Sequence, residues 1–154
     1  MTRLEFIREL IADCRYDDAL ELLQIATDEE PDNVDYNYEL ARIFMEMGNY
    51  ESAISNLELV VEKVRNHLLY FMIAEAYQAD NQIDKAIGAY LKAIMLNEKF
   101  APAYKKLGIL FLGRDDELSA IEYFEDYLKL DIHEEGKREI TKLLDRIKKD
   151  GKTY

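Results

Sequence analysis

The sequence predicts an all-α protein, a solenoid of helix-turn-helix repeats with about nine helices. Three observations predict it. Residues 101–134, APAYKKLGILFLGRDDELSAIEYFEDYLKLDIHE, slide by their own length of 34 onto 67–100, HLLYFMIAEAYQADNQIDKAIGAYLKAIMLNEKF, with apolar and small residues in register. Only 6 Gly and 2 Pro occur in 154 residues, too few for the turns of a many-stranded sheet. Apolar residues recur at three- and four-residue spacings, the pattern of a helix with one buried face.

Taken in order, 1–33 opens with a helix whose buried face is expected to hold Leu4, Phe6, Ile7, Leu10 and Ile11. A second helix carries Ala19, Leu20, Leu22, Leu23 and Ala26 and stops at Pro31, which cannot continue a helix. Residues 34–66 repeat the pattern with Leu40, Ala41 and Phe44, a turn at Gly48-Asn49, then Tyr50, Ala53, Ile54, Leu57, Val60 and Val61. In 67–100, Tyr70, Ile73, Ala74 and Tyr77 precede a turn at Asp80-Asn81, and Ala86, Ile87, Tyr90, Ala93 and Ile94 follow. In 101–134, Tyr104, Leu107, Gly108 and Phe111 precede a turn over 113–116, followed by Ala120, Ile121, Phe124 and Leu128. A last helix, about 134–149, shows a single apolar stripe of Ile140, Leu143, Leu144 and Ile147. A single domain over 1–150 and a flexible tail at 151–154 are expected.

These residues resemble the tetratricopeptide repeat, a 34-residue helix-turn-helix unit with small residues at fixed places. Ala41, Ala74 and Gly108 in the first helices, and Ala19, Ala53, Ala86 and Ala120 in the second, occupy those places and let two helices approach closely. Large residues stand beside them: Phe44, Tyr77 and Phe111, and Leu57, Tyr90 and Phe124. The pattern departs in the first two copies. The early aromatic, Tyr70 and Tyr104 elsewhere, is Asn37 in the second copy and Arg3 in the first. Ile7 replaces a small residue, which predicts a splayed first pair, and Tyr127, also at a small-residue place, is expected to pack on the last helix. That helix is read as the polar-outside cap a stacked array needs.

The resemblance implies a right-handed superhelix whose concave wall is lined by the first helix of each unit. On this chain the wall receives Leu4 and Arg8, then Asp35, Tyr38, Arg42, Met45 and Glu46. Leu68, Phe71, Glu75, Gln78 and Ala79 follow, then Lys105, Ile109 and Leu112. The peptide-binding residues expected among them are Tyr38, Arg42, Met45, Leu68, Phe71, Glu75, Gln78, Lys105 and Ile109. The implied function is a protein-interaction scaffold or adaptor that takes a peptide or amphipathic helix of a partner in the groove. Some relatives clamp acidic chaperone tails with Lys, Arg and Asn. The matching places here hold Leu4, Arg8, Glu39, Leu68 and Met72, which do not build that clamp. Two alternatives stand beside the adaptor. One is a small acidic chaperone for a secreted or aggregation-prone client, against which the fourth copy counts. The other is a self-assembling scaffold, suggested by 10 acids against 3 bases in 1–33 and 4 against 7 in 135–154. Weak homo-oligomerisation is therefore the secondary expectation.

Other classes find little support. A net charge of −12 argues against nucleic acid, whose phosphates are bound by clustered Lys and Arg. The longest apolar run, 68–74, is far short of the roughly 20 residues of a membrane span, and the N-terminus lacks a secretory pattern. A cytoplasmic protein is expected. Cys14, the one cysteine, forms no disulfide within the chain and falls in the first inter-helix turn. His67 and His133 lack metal-ligand spacing and read as helix-end residues, and Asp115-Asp116-Glu117 reads as a turn and helix start. No cofactor, no metal site and no catalytic residues are expected.

Overall fold

The computed structural model describes residues 1–130 and 132–150, with the side chain of residue 150 left aside, so the tail expected at 151–154 lies outside the described residues. The fold is all-α, as the repeat pattern predicts. Its helices are α1 (Arg3–Ala12), α2 (Tyr16–Glu29), α3 (Val34–Glu46), α4 (Tyr50–Lys63), α5 (His67–Ala79), α6 (Ile83–Leu96), α7 (Ala101–Leu112), α8 (Glu117–Lys129) and α9 (Glu134–Asp150). The chain divides into two compact units, Met1–Ala86 and the stretch from Ile87 on, the boundary falling within α6.

Helix starts follow the local chemistry of the sequence. Thr2 and Glu5 form a reciprocal capping box on α1, with Thr2 N donating to Glu5 Oε2 at 2.6 Å and Glu5 N to Thr2 Oγ1 at 3.2 Å. Asn33, Asn49, Asn66 and Asp116 cap α3, α4, α5 and α8 by accepting from backbone N–H groups of the first turn. Pro102 sits in the first turn of α7, where a missing N–H costs no helical hydrogen bond.

The turns inside the helix pairs share one device. Each contains a single residue with left-handed backbone: Cys14 (φ 58°), Gly48 (73°), Asn81 (58°) and Asp115 (60°). The residue after it turns its N–H back onto the preceding helix. Arg15 donates to Leu10 O, Asn49 to Phe44 O, Gln82 to Tyr77 O and Asp116 to Phe111 O, at 2.8–3.0 Å. The fourth turn lies over 113–116, as the sequence predicts, and its glycine is not the pivot. Gly113 is right-handed (φ −66°) and caps α7, and Asp115 takes the left-handed place instead.

In the first unit, Ile7, Leu10, Ala19, Leu23, Ala26, Tyr36, Leu40 and Ile43 form one buried cluster. Phe6 is not part of it: at 41% exposure it faces outward, a correction to the sequence reading, while Leu4 and Ile11 are half-buried. One apolar stripe is enough to seat α1, and Phe6 falls on its flank. Ile7 is fully buried, and α1 packs on α2 less extensively than α3 on α4. Asn37, standing where other copies have an aromatic, is 5% exposed. Its Nδ2 donates to Pro31 O and Asn33 O, both at 2.8 Å, tying down the α2–α3 connection.

In the second unit, Ala120, Phe124, Tyr127, Ile140, Leu144 and Ile147 form the core that holds α9 on α8. Tyr127 meets α9 as expected: a Cβ added at Gly136 would lie 2.5 Å from its hydroxyl oxygen. Two ion pairs add to the seat, Lys105–Glu139 (2.7 Å) from α7 and Lys148–Glu125 (2.8 Å) from α8. Phe111 and Tyr123 stack with ring centroids 5.4 Å apart. The α7–α8 approach depends on Gly108. A Cβ there would sit 2.4 Å from the Phe124 ring, and Phe124 is fully buried.

Gly108→Ala is therefore expected to destabilise the protein by about 1–2 kcal/mol, overpacking outweighing the helix propensity gained. The Phe124→Leu change should cost less in the Gly108→Ala background than in the parent. Denaturant midpoints at constant m-value measure both, and simple additivity would refute the contact. A second expectation concerns Asp116. Ser119 donates to its carboxylate from both N–H and Oγ–H, at 3.1 and 2.7 Å, and this holds the Asp116 carboxyl below its usual pKa. A depressed folded-state pKa gives stability that is full above the unfolded value, about 4, and is lost as pH falls through the folded one. The melting-temperature gap between parent and Asp116→Ala should thus be full at neutral pH and close on acidification below about pH 4.

Candidate functional site

The first unit contains one buried carboxylate with a defined ionic role. Glu39, on α3, is 1% exposed. Burying a carboxylate is costly unless its charge is matched and its oxygens are bonded. Both conditions are met. Arg8 Nε, from α1, donates to Glu39 Oε1 at 2.6 Å, and Arg42 Nη1, one turn along α3, donates to Oε2 at 2.7 Å. Arg8 Nη2 also reaches Asp35 Oδ1 at 3.4 Å. The Glu39 hydrogen bond is the main cause that raises the Arg8 pKa above its ordinary value, so Arg8 stays charged. The network pins α1 to α3, the first helices of consecutive repeats.

Beside it lies a cleft of about 510 Å³. Arg8, Ile11 and Ala12 of α1 line one side, and Cys14 and Tyr16 form the end at the α1–α2 turn. Arg42, Ile43, Met45 and Glu46 of α3 and Met72 and Glu75 of α5 complete it. Ile43 is fully buried beneath, Met45 and Met72 are half-buried, and Glu46 is exposed. The neighbouring Cys14 thiol pushes the Tyr16 phenol above the ordinary tyrosine range. The result is a soft apolar floor between two arginines and two glutamates. Such a floor can accept a side chain of another protein; it holds no nucleophile paired with a base and no ligand set for a metal. Among the described residues no group of His, Cys, Asp and Glu is arranged to hold a metal ion.

Of the nine residues expected to bind, the cleft brings together Arg42, Met45 and Glu75. Tyr38 and Phe71 are half-buried on the same helices but do not line it, Gln78 is likewise half-buried, and Leu68 is 49% exposed. Lys105 and Ile109 belong to the second unit. There Lys105 is paired with Glu139 of α9, and Ile109 is 43% exposed. Sequence reading missed Tyr16, Met72 and the central place of Glu39. Glu39 and Arg42 stand at i and i+3, which signals a pair on one helix face. The third partner, Arg8, is 31 residues away and is supplied by the repeat stacking.

The Glu39 network makes an asymmetric prediction. Glu39→Gln leaves two half-exposed arginines that water can solvate, and is expected to cost about 1–2 kcal/mol. Arg8→Met with Arg42→Met strands the buried carboxylate and should cost about 3 kcal/mol or more at neutral pH. Urea unfolding of the two variants tests the order, and a reversed order would contradict the placement of Glu39.

Two models of the same family, described as tetratricopeptide repeat, match residues 10–73 and 68–100. Among curated proteins, Superkiller protein 3 of Schizosaccharomyces pombe (strain 972 / ATCC 24843) is 25% identical over 128 residues. That alignment covers 76% of this chain, and the chain spans only 9% of that much longer protein. Among solved structures, a crystal structure of MamA superposes with a TM-score of 0.80 at 23% identity, covering 97% of this chain and 86% of that one. MamA 41-end from Desulfovibrio magneticus RS-1 gives 0.77 at 23% identity, covering 84% and 73%. At this identity the structural likeness speaks to the fold.

Proposed function

The chain belongs to the tetratricopeptide repeat family, and from that premise we propose that it is a non-enzymatic adaptor that binds a segment of a partner protein in the cleft of its first unit. The family and fold support protein–protein interaction in general. The observation that carries the particular site is the open cleft between α1, α3 and α5, floored by Met45, Met72 and Ile11. First helices of successive repeats supply its walls, which is the groove side of such arrays. Methionine suits this use because its unbranched, polarisable side chain adapts to differently shaped partners. Arg42, Glu46 and Glu75 form the polar rim that orients the bound segment. Tyr38 and Phe71 extend the surface along the faces of α3 and α5. Tyr38, Arg42 and Met45 fall at i, i+4 and i+7, so they share one side of α3. Lys105 and Ile109 belong to the second unit. In the second unit, α9 serves as the terminal cap, its apolar side spent on α8.

The test needs a bound segment, which peptide display on the full-length chain supplies. Met45→Ala with Met72→Ala is expected to weaken that segment at least about tenfold. Tyr38→Ala with Phe71→Ala should weaken it by a similar factor. Far-UV circular dichroism should be unchanged in both, since neither pair belongs to the fully buried core. Unaltered affinity in the methionine variant would remove the cleft as the site.

A further inference from the structure

We propose that copies of this chain associate head to tail, with α1 of one copy lying antiparallel in a groove on α9 of the next. The groove, of about 550 Å³, is lined by Glu135, Arg138, Glu139, Lys142, Leu143 and Arg146. Arg138, Lys142 and Arg146 stand at i, i+4 and i+8 and are exposed, so they form one basic ladder along the helix. Glu139 is already matched by Lys105 at 2.7 Å. Lys137 and Lys148 have acidic partners of their own, Glu134 and Glu125. Among the described residues no acid pairs with the three bases of the ladder.

The complementary ladder is on α1. Glu5, Glu9 and Asp13, the last at the C-cap, also stand at i, i+4 and i+8 and are exposed. The three basic residues of 1–33 are engaged elsewhere: Arg3 by Glu29, Arg8 by Glu39 and Asp35, and Arg15 by Asp18. Asp13 also sits at the negative end of the α1 dipole, and the last turn of α1 holds no basic residue. An anion in that place is unfavourable until a cation from outside meets it. Each ladder carries an apolar residue on the same flank. Phe6 follows Glu5 and is 41% exposed, and Leu143 follows Lys142 and is half-buried in the groove. These flanks coincide when the two helices run antiparallel and are opposed when they run parallel. Antiparallel pairing sets Glu5 against Arg146, Glu9 against Lys142 and Asp13 against Arg138, with Phe6 and Leu143 about 3 Å apart along the axis. The contact is heterologous, so each end of an assembly keeps one open ladder and growth continues until a ring closes. It uses none of the residues that line the cleft of the first unit, and it stands apart from the proposed function.

Sedimentation velocity on the whole chain tests this. Species that grow with protein concentration are expected at about 50 mM salt and should dissociate at about 500 mM, because exposed charges are screened. Glu9→Lys with Asp13→Lys, or Arg138→Glu with Lys142→Glu, should each weaken association at least about tenfold. An equimolar mixture of these two variants should associate again, since each supplies the ladder the other lacks. Phe6→Ala should weaken association about fivefold. Glu62→Lys with Glu122→Lys changes the net charge as much as the α1 reversal but lies off both ladders, and should alter association less than about threefold. All the substituted residues are exposed, so far-UV circular dichroism should match the parent in each variant. A monomer at every concentration overturns the proposal, as does association that survives either ladder reversal alone. Reversed variants that stay monomeric when mixed overturn the pairing of α1 with α9. A loss in the Glu62 and Glu122 control equal to that of the α1 reversal reduces the effect to net charge and overturns it as well. Asp13→Lys combined with Arg138→Glu should recover association; recovery with Arg146→Glu instead would overturn the antiparallel register.

Discussion

One backbone constraint recurs through the molecule: a single left-handed residue in each inter-helix turn, followed by an N–H that returns to the preceding helix. It occurs at Cys14, Gly48, Asn81 and Asp115, spaced by one repeat length within a residue. The device reverses the chain in a few residues and satisfies the carbonyls that a helix end leaves open. It thereby fixes how the two helices of a pair face each other, and the rest follows. Facing helices need small residues at their crossing, which Ala41, Ala74 and Gly108 provide. Only one of the four turns uses glycine. Asparagine and aspartate tolerate this conformation comparatively well, and Cys14 is the residue least suited to it.

Close packing at the crossings decides which large residues go deep. Leu57, Tyr90 and Phe124, all from second helices, are fully buried, whereas Phe44, Tyr77 and Phe111 from the first helices are half-buried. At these paired places the second-helix side chain lies deeper than its first-helix counterpart. First helices keep part of their apolar surface accessible, and that surplus is what a binding site can be made from. Met45 and Met72 belong to it, as do Tyr38 and Phe71. Tyr77 illustrates the compromise: its ring is partly sheltered, its hydroxyl donates to Glu58 at 3.0 Å, and burial pushes its pKa above the usual range.

Most of the fold was legible in the sequence because its determinants are local or periodic. Caps at Thr2, Asn33 and Asn49, the breaker at Pro31 and the small residues of the crossings act over a few positions, and the 34-residue period supplies their order. Phe6 was misread because a five-residue apolar set around α1 is wider than the stripe that one neighbour covers. The fourth turn falls over 113–116 as read, but glycine marks the region where the chain turns without marking that Asp115 is the pivot. The site was legible only in part. Arg42, Met45 and Glu75 follow from helix faces, but the closeness of Tyr16, Met72 and Arg8 is set by stacking between repeats, and no local pattern reports it. The burial of Glu39 is of the same kind. A glutamate on a first helix reads as a solvated rim residue until two arginines from different repeats close over it.

Glu39 joins the packing of the first two repeats to the charge beside the cleft. Glu39 holds α1 against α3, and by accepting from Arg8 and Arg42 it also removes two positive charges from the account of the cleft. A change at Glu39 therefore alters both the packing of the first two repeats and the state of the two arginines beside the cleft. The methionines behave differently. They contribute apolar surface at the opening and lie outside the fully buried core, so their replacement alters contact with little effect on folding. The two classes of residue divide the work of a repeat protein. A buried polar group specifies register and charge at a cost in freedom to vary, and a surface of adaptable side chains carries the fit to a partner. A scaffold organised this way can change its apolar surface by substitution at Met45 and Met72 without disturbing the Glu39 network one layer below, where the repeats themselves are joined.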